Sequence, residues 1–311
     1  MTKALPVPGS PSDGAPVPAV EDTAQQVPPA GRSRRPRGGG AWSRYASALR
    51  TPKGMAAAVL LVLLVAVAVL APVIFPGGYD QQARGALQGP SGGHWLGTDE
   101  FGRDILVRTV YGLRTDLSLI LTAVPVSLVI GTLLGLSGYL SKPLGAVTQR
   151  ILDIILGFPG LILGIMIVLV IGTGWLALFM AIVIAGLPGF GRMARGGLLS
   201  EQQREYVLAA RVLGVKRSTI MVRHILPNVV DPLLVQASVF MVVAIFIEAG
   251  LSIVGLGINP PNPSLGAMLN VGARYVQSLP SYVIGPGAVL LLLALAFTLL
   301  SDALNQAATR R

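Results

Sequence analysis

The fold is decided by one stretch: Met55-Ala56-Ala57-Ala58-Val59-Leu60-Leu61-Val62-Leu63-Leu64-Val65-Ala66-Val67-Ala68-Val69-Leu70-Ala71-Pro72-Val73-Ile74-Phe75. It runs without a charge over a length that matches the roughly 20 residues a helix needs to cross the hydrocarbon of a bilayer. A secretory signal peptide would have a shorter apolar core and lie nearer the N-terminus. We therefore read a first transmembrane helix here. Five further apolar segments follow: Leu117–Tyr139, Ile151–Ile171 with a kink expected at Pro159, a short Trp175–Phe190 expected to break near Pro188, Val229–Ile253, and Val283–Ala303. Gly131, Gly135 and Gly138 are small residues of the kind that let membrane helices approach closely. The fold class is an all-α membrane protein with six transmembrane helices. Composition agrees, with 52% apolar and 12% charged residues, about half the charge of an ordinary soluble domain.

The net charge of +10 could signal nucleic acid, anionic lipid or membrane topology. Its distribution decides. With a cytosolic N-terminus, 19 of the 24 Lys and Arg residues fall in cytosolic segments and 5 in external ones; without residues 1–40 the split is 14 to 5. That asymmetry orients both termini inside and removes nucleic acid as a partner. The absence of cysteine excludes disulfides, thiolate metal sites and cysteine nucleophiles. With only His94 and His224, a histidine metal site has little support.

Residues 1–54 are rich in Pro, Gly, Ser and Ala and turn basic at Arg32, Arg34, Arg35 and Arg37. Such a segment lacks the apolar surface to offset its ordering entropy, so a disordered cytosolic tail is expected. The external loop, residues 76–116, holds five of the 14 acidic residues. Within it, Thr98, Asp99, Arg103 and Asp104 are candidates for contact with an external partner. Calcium is disfavoured because the spacing is not that of an EF-hand loop.

The cytosolic loop, residues 191–228, is the most informative part. Glu201–Leu213 has helical propensity, Gly214 is a natural cap, and Lys216–His224 can form a second short helix ended by Pro227. Two short helices about a glycine elbow make a knob beneath the membrane.

Ala209-Ala210, Gly214 and Leu226-Pro227 resemble the "EAA" loop of permeases from ATP-binding-cassette (ABC) importers. Leu208 stands at the family's glutamate position and His224 at its isoleucine position, departures found in the peptide-importer branch. Gly97-Thr98-Asp99-Glu100 with Gly102-Arg103-Asp104 is similar to the external loop of the C-type dipeptide, oligopeptide and nickel permeases. The segment from Glu248 to Leu269 looks like that branch too, except that Leu265 stands where Trp is usual. The resemblance spans about residues 55–305, the permease domain, and leaves residues 306–311 as a cytosolic C-terminal tail.

The resemblance implies the type I ABC importer permease fold with cytosolic coupling helices in a bacterial plasma (inner) membrane. It implies a related B-type permease, two ATPase subunits that bind ATP and Mg, an extracytoplasmic substrate-binding protein and a peptide substrate, with lipid around the spans. Ala209, Ala210 and Gly214 are expected to pack closely, Glu205, Arg211 and Arg217 to make polar contacts with the ATPase, and Leu226 and Pro227 to anchor the knob. No cofactor is expected in this chain, because it has no phosphate-binding G-x-x-x-x-G-K-[ST] motif. Leu199-Ser200-Glu201-Gln202-Gln203 imitates an ATPase signature but lacks its glycines. Glu248, deep in the fifth span, is either a pathway carboxylate or a packing group, and the packing role is favoured. The competing classes are a nickel or other small-solute ABC importer, an ion-coupled secondary transporter, which would carry repeats and several midplane charges, and an intramembrane enzyme, whose motifs are absent.

Overall fold

Apolar runs that exclude water from the backbone must satisfy its hydrogen bonds internally, so they fold as helices. The computed structural model describes residues 49–83 and 85–309. The expected disordered tail therefore lies almost wholly outside the described residues. The helices are α1 (Pro52–Ile74), α2 (Ile105–Leu140), α3 (Lys142–Leu156), α4 (Gly160–Ile171), α5 (Trp175–Glu201), α6 (Glu205–Val212), α7 (Arg217–Ile220), α8 (Leu226–Ile253), α9 (Leu265–Gly272) and α10 (Ser281–Thr309). Among the described residues there is no strand, only isolated bridges in the external loop.

Five helical stretches are long and apolar enough to cross a membrane: α1, α2, α5, Arg217–Ile253 and α10. The pair α3 and α4, bent by 99° at residues 157–159, passes the same test when its two helices are counted together as one broken span, which makes six. The kink expected at Pro159 is thus a full break. Pro159 has no amide hydrogen and disfavours helical backbone at Phe158, and α4 restarts behind it. At 12 residues, α4 is about 18 Å long, too short to cross alone.

Two boundaries differ from the sequence reading. The second helix begins twelve residues before Leu117, at Ile105, where the Asp104 side chain caps it by accepting the Val107 N–H at 3.0 Å. Arg108, Arg114 and Asp116 interrupt the apolar run, and Arg108 and Asp116 are buried against other elements rather than loop residues. The fourth helix does not break at Pro188. It runs from Trp175 to Glu201 with Pro188 buried inside it, because packed neighbours allow a membrane helix to tolerate the lost hydrogen bond.

The core centres on α2 against α5. A Cβ on Gly135 would lie 2.2 Å from the Gly191 carbonyl oxygen, and one on Gly131 2.8 Å from Phe190 Cβ. The two backbones therefore touch, as the small residues predict. Ile120, Ala123, Val124, Ile182, Phe190 and Ala194 fill the seam, and Phe190 meets Phe240 of α8 edge-on, with ring centroids 5.5 Å apart. The α1 and α10 helices flank this core, and α9 tucks between α8 and α10.

Candidate functional site

The chain from α5 to α8 builds the knob. Glu205–Val212 is helical, and its C-terminus closes on Gly214 at φ +74°. Gly214 N–H donates to Arg211 O at 3.0 Å and Val215 N–H to Ala210 O at 3.1 Å. This paired arrangement requires left-handed backbone at Gly214, which glycine adopts without strain.

Beyond the elbow, α7 passes through a π turn, Met221–Ile225, straight into α8. Pro227 does not end the second short helix as expected. It sits in the first turn of α8, where the wider π turn accommodates a residue without an N–H. The helical backbone is continuous from Arg217 to Ile253.

Val207, Ala210, Ile220 and Ile225 are buried in the same apolar core as the membrane helices. A latch secures the outer side. The Tyr206 hydroxyl donates to Glu201 at the end of α5 and accepts from Asn228 Nδ2 at 3.2 Å, while Asn228 also donates to His224 O at 2.7 Å. Partial burial, then the hydrogen bond to and charge of Glu201, push the Tyr206 phenol up to about 12.

Ala210 faces inward, whereas Glu205, Ala209, Gly214 and Pro227 face outward and Leu226 is half-buried. The Arg211 guanidinium lies 5.5 Å from the centre of the Tyr139 ring, and Arg211 and Arg217 line one cavity between the knob and the membrane helices. The sequence reading missed the knob's apolar tip: Leu208, Val212 (87% exposed) and Leu213 (81% exposed) point outward together. The signal was present in the spacing of Leu208 and Val212, four residues apart on one helix face.

On the opposite side, the external loop is an ordered cap built around Asp99. One Asp99 oxygen accepts the backbone N–H groups of Phe101 and Arg103, both at 2.9 Å; the other accepts Arg103 Nε at 2.6 Å. Arg108 Nε approaches that second oxygen at 3.4 Å, at ion-pair range without hydrogen-bond geometry. Burial works against the Arg103 guanidinium, but Asp99, Asp80 and Glu100 outweigh it and raise its pKa. The Thr98 hydroxyl donates to Gly85 O at 2.7 Å and accepts Gln88 N–H at 2.9 Å.

Thr98, Asp99 and Arg103 are therefore buried inside the cap, and Asp104 is half-buried as the cap of α2. The first three are held within the cap rather than on its exposed surface. Their charges and hydroxyls are consumed in folding the loop. Trp95 (73% exposed) and Phe101 (57% exposed) are what the loop presents. Tyr282 donates to Glu100 at 2.8 Å and Ser281 to Leu96 O at 2.7 Å, joining the cap to α10.

Glu248 is buried, accepting the Ser252 hydroxyl at 2.7 Å. Nearby Asp116 Oδ2 accepts the Leu265 N–H at 3.2 Å, and Ser264 caps α9 by accepting the Ala267 N–H. A Cβ on Gly266 would stand 3.3 Å from Glu248 Oε2, and one on Gly112 3.2 Å from Leu265 N. The two carboxyl groups thus flank the start of α9 where it is wedged between α2 and α8. The sequence reading counted Asp116 among the acids of the external loop, because it stands just before the apolar run, whereas it lies buried within α2.

The sequence matches the family described as binding-protein-dependent transport system inner membrane component over residues 127–311, which includes α5, the knob and α8. The chain belongs to this family. It is a membrane permease subunit of an ATP-binding-cassette importer.

The permease is 38% identical to a dipeptide transport system permease protein of Alkalihalophilus pseudofirmus, over 80% of this chain and 83% of that one. It is 37% identical to a glutathione transport system permease protein of Pectobacterium atrosepticum, over 86% and 88% of the two chains. An inward-facing structure of the MetNI methionine ABC transporter has the same fold, with a TM-score of 0.53 and 21% identity over 66% of this chain and 97% of that one. Membership in this family sets aside the secondary-transporter and enzyme readings. Among the described residues, no cluster of His, Asp or Glu is arranged to hold a metal.

Proposed function

We propose that this permease forms half of a peptide pathway and that the knob couples it to a separate ATPase. The observation carrying this reading is the apolar tip, Leu208, Val212 and Leu213, exposed on a support continuous with the membrane core. An exposed apolar patch on a rigid base suits a groove on a partner. Because α7, the π turn and α8 are one continuous body, a push on the tip tilts the span rather than flexing a loop.

In this account ATP and Mg are bound and ATP hydrolysed by two partner chains, and a related B-type permease completes the pathway. Both termini are cytosolic in the inner membrane. An extracytoplasmic binding protein meets the cap through Trp95 and Phe101, and the buried Asp99 network holds that surface in shape. A di- or oligopeptide substrate is supported by the names of the dipeptide and glutathione relatives. Glu248 and Asp116 act as packing groups that fix α9 beside the pathway. Peptide uptake measured in membranes with and without the partner ATPase tests the reading. Uptake that vanishes without the ATPase supports it, and uptake that persists overturns it.

A further inference from the structure

The knob does not close tightly on the membrane helices. Between them lies a cavity of about 470 Å³. Lys142 at the start of α3, Arg195 of α5, Arg211 of α6 and Arg217 of α7 line it, and no Asp or Glu does. Among the described residues, none of these four cations has a carboxylate within ion-pair distance; the nearby pairs, Arg192 with Asp153 and Arg204 with Glu201, are separate. Four like charges converging on one concavity create a positive potential that attracts an anion. The Tyr139 hydroxyl gives an independent indication. Tyr139, 7% exposed, lines the same cavity, and its hydroxyl has no hydrogen-bond partner. A buried hydroxyl beside four cations lacks one thing, an acceptor oxygen.

The surroundings indicate the source of that oxygen. The α3 helix starts in the cavity wall and runs away from it with Leu144, Val147, Ile151 and Ile154 exposed. These positions recur at helical spacing and form one apolar stripe. As the first half of the bent α3–α4 stretch, α3 enters the bilayer from the cytosolic side in the topology proposed above, so this stripe meets the lipid of that leaflet. The cytosolic leaflet carries anionic headgroups. We propose that this cavity binds the phosphate of an anionic phospholipid of the cytosolic leaflet, with the acyl chains laid along α3. The placement rests on the topology proposed above. The lipid would fill the space behind the coupling helix and stiffen the joint between knob and membrane helices.

The test is lipid retention by the purified full-length chain, read by native mass spectrometry and by the heat-denaturation midpoint. The probes are phosphatidylglycerol, phosphatidylcholine and inorganic phosphate at equal concentration. Phosphatidylglycerol should bind at least tenfold more tightly than phosphatidylcholine and raise the midpoint. Lys142→Gln with Arg195→Gln should lose that preference tenfold or more, Tyr139→Phe severalfold, and Lys142→Arg should keep it. Because Tyr139→Phe removes one oxygen and Lys142→Arg keeps the charge, both remain informative if the double variant misfolds.

Equal binding of the two lipids, or an undiminished preference in folded charge-removed variants, would overturn the proposal. Saturation by inorganic phosphate as readily as by phosphatidylglycerol would overturn the lipid source. Displacement of the lipid when the ATPase assembles would assign the cations to the partner's carboxylates and overturn it too. None of these readouts depends on transport, so they can fail while the coupling role stands.

Discussion

Replacing Gly135 by Ala tests the helix seam on which the permease is built. The added Cβ would stand 2.2 Å from Gly191 O and 2.9 Å from Ala194 Cβ, and Gly191 O belongs to a backbone that cannot swing away. Restoring ordinary contact requires α2 and α5 to separate by about 1 Å, a gap that forfeits a quarter to a half of the dispersion between atoms facing across it. Overpacking of this kind costs about 1–3 kcal/mol, partly offset by the roughly 1 kcal/mol by which Ala outranks Gly in a helix. Gly196→Ala is the matched control. Gly196 also lies in α5, but its Cβ would meet nothing within 4 Å, so only the favourable contribution remains. The assay is the denaturation midpoint of each purified variant in one detergent. Gly135→Ala should fall below the parent and Gly196→Ala should match or exceed it. A Gly135→Ala midpoint at or above the parent would refute the backbone contact.

Three further outcomes follow from the two membrane faces. Gly214→Ala forces a side chain into left-handed backbone, at a cost of about 1–2 kcal/mol; uptake should fall, Gly214→Asn should be milder, and protein level in the membrane should hold. The Tyr206 latch is strongest while its phenol is neutral. Its contribution is therefore complete below the ordinary phenol value of 10.0 and lost as pH rises through about 12. The absorbance difference between the parent and Tyr206→Phe should show phenolate appearing late, and appearance near pH 10 would remove the latch from the account. Asp99→Ala strands Arg108 and leaves Arg103 only Asp80 and Glu100, and breaking a buried ion pair costs about 3–5 kcal/mol. Limited proteolysis should then cut within residues 80–104, and an equally resistant cap would count against the network.

Hydropathy made the spans legible because a membrane helix advertises itself over 20 residues or more. It misplaced their ends wherever a charge is buried or a proline is tolerated. Arg108 and Asp116 made the start of α2 look like loop, although both side chains are packed inside. Pro159, Pro188 and Pro227 look alike in a string of letters. One separates two helices at a right angle, one lies within a continuous helix, and one opens a first turn after a π turn. What distinguishes them is the packing around each ring, which local sequence does not encode.

The functional residues divide in the same way. Gly214 was readable because left-handed backbone has a strong residue preference. Leu208, Val212 and Leu213 were not singled out, since apolar residues in an apolar chain raise no flag until their exposure is known. Thr98, Asp99 and Arg103 drew notice as polar groups, yet they serve the cap's interior. Charge marks where a chain spends its polar groups, not which way they face.

The coupling claim is tested most directly by single cysteines on the knob, in a chain that otherwise has none. Leu208→Cys, Val212→Cys and Leu213→Cys, each co-expressed with the ATPase, should crosslink to it with a short reagent, while Val207→Cys, on the inward face, should not. Crosslinking at Val207→Cys with none at Val212→Cys would contradict the account.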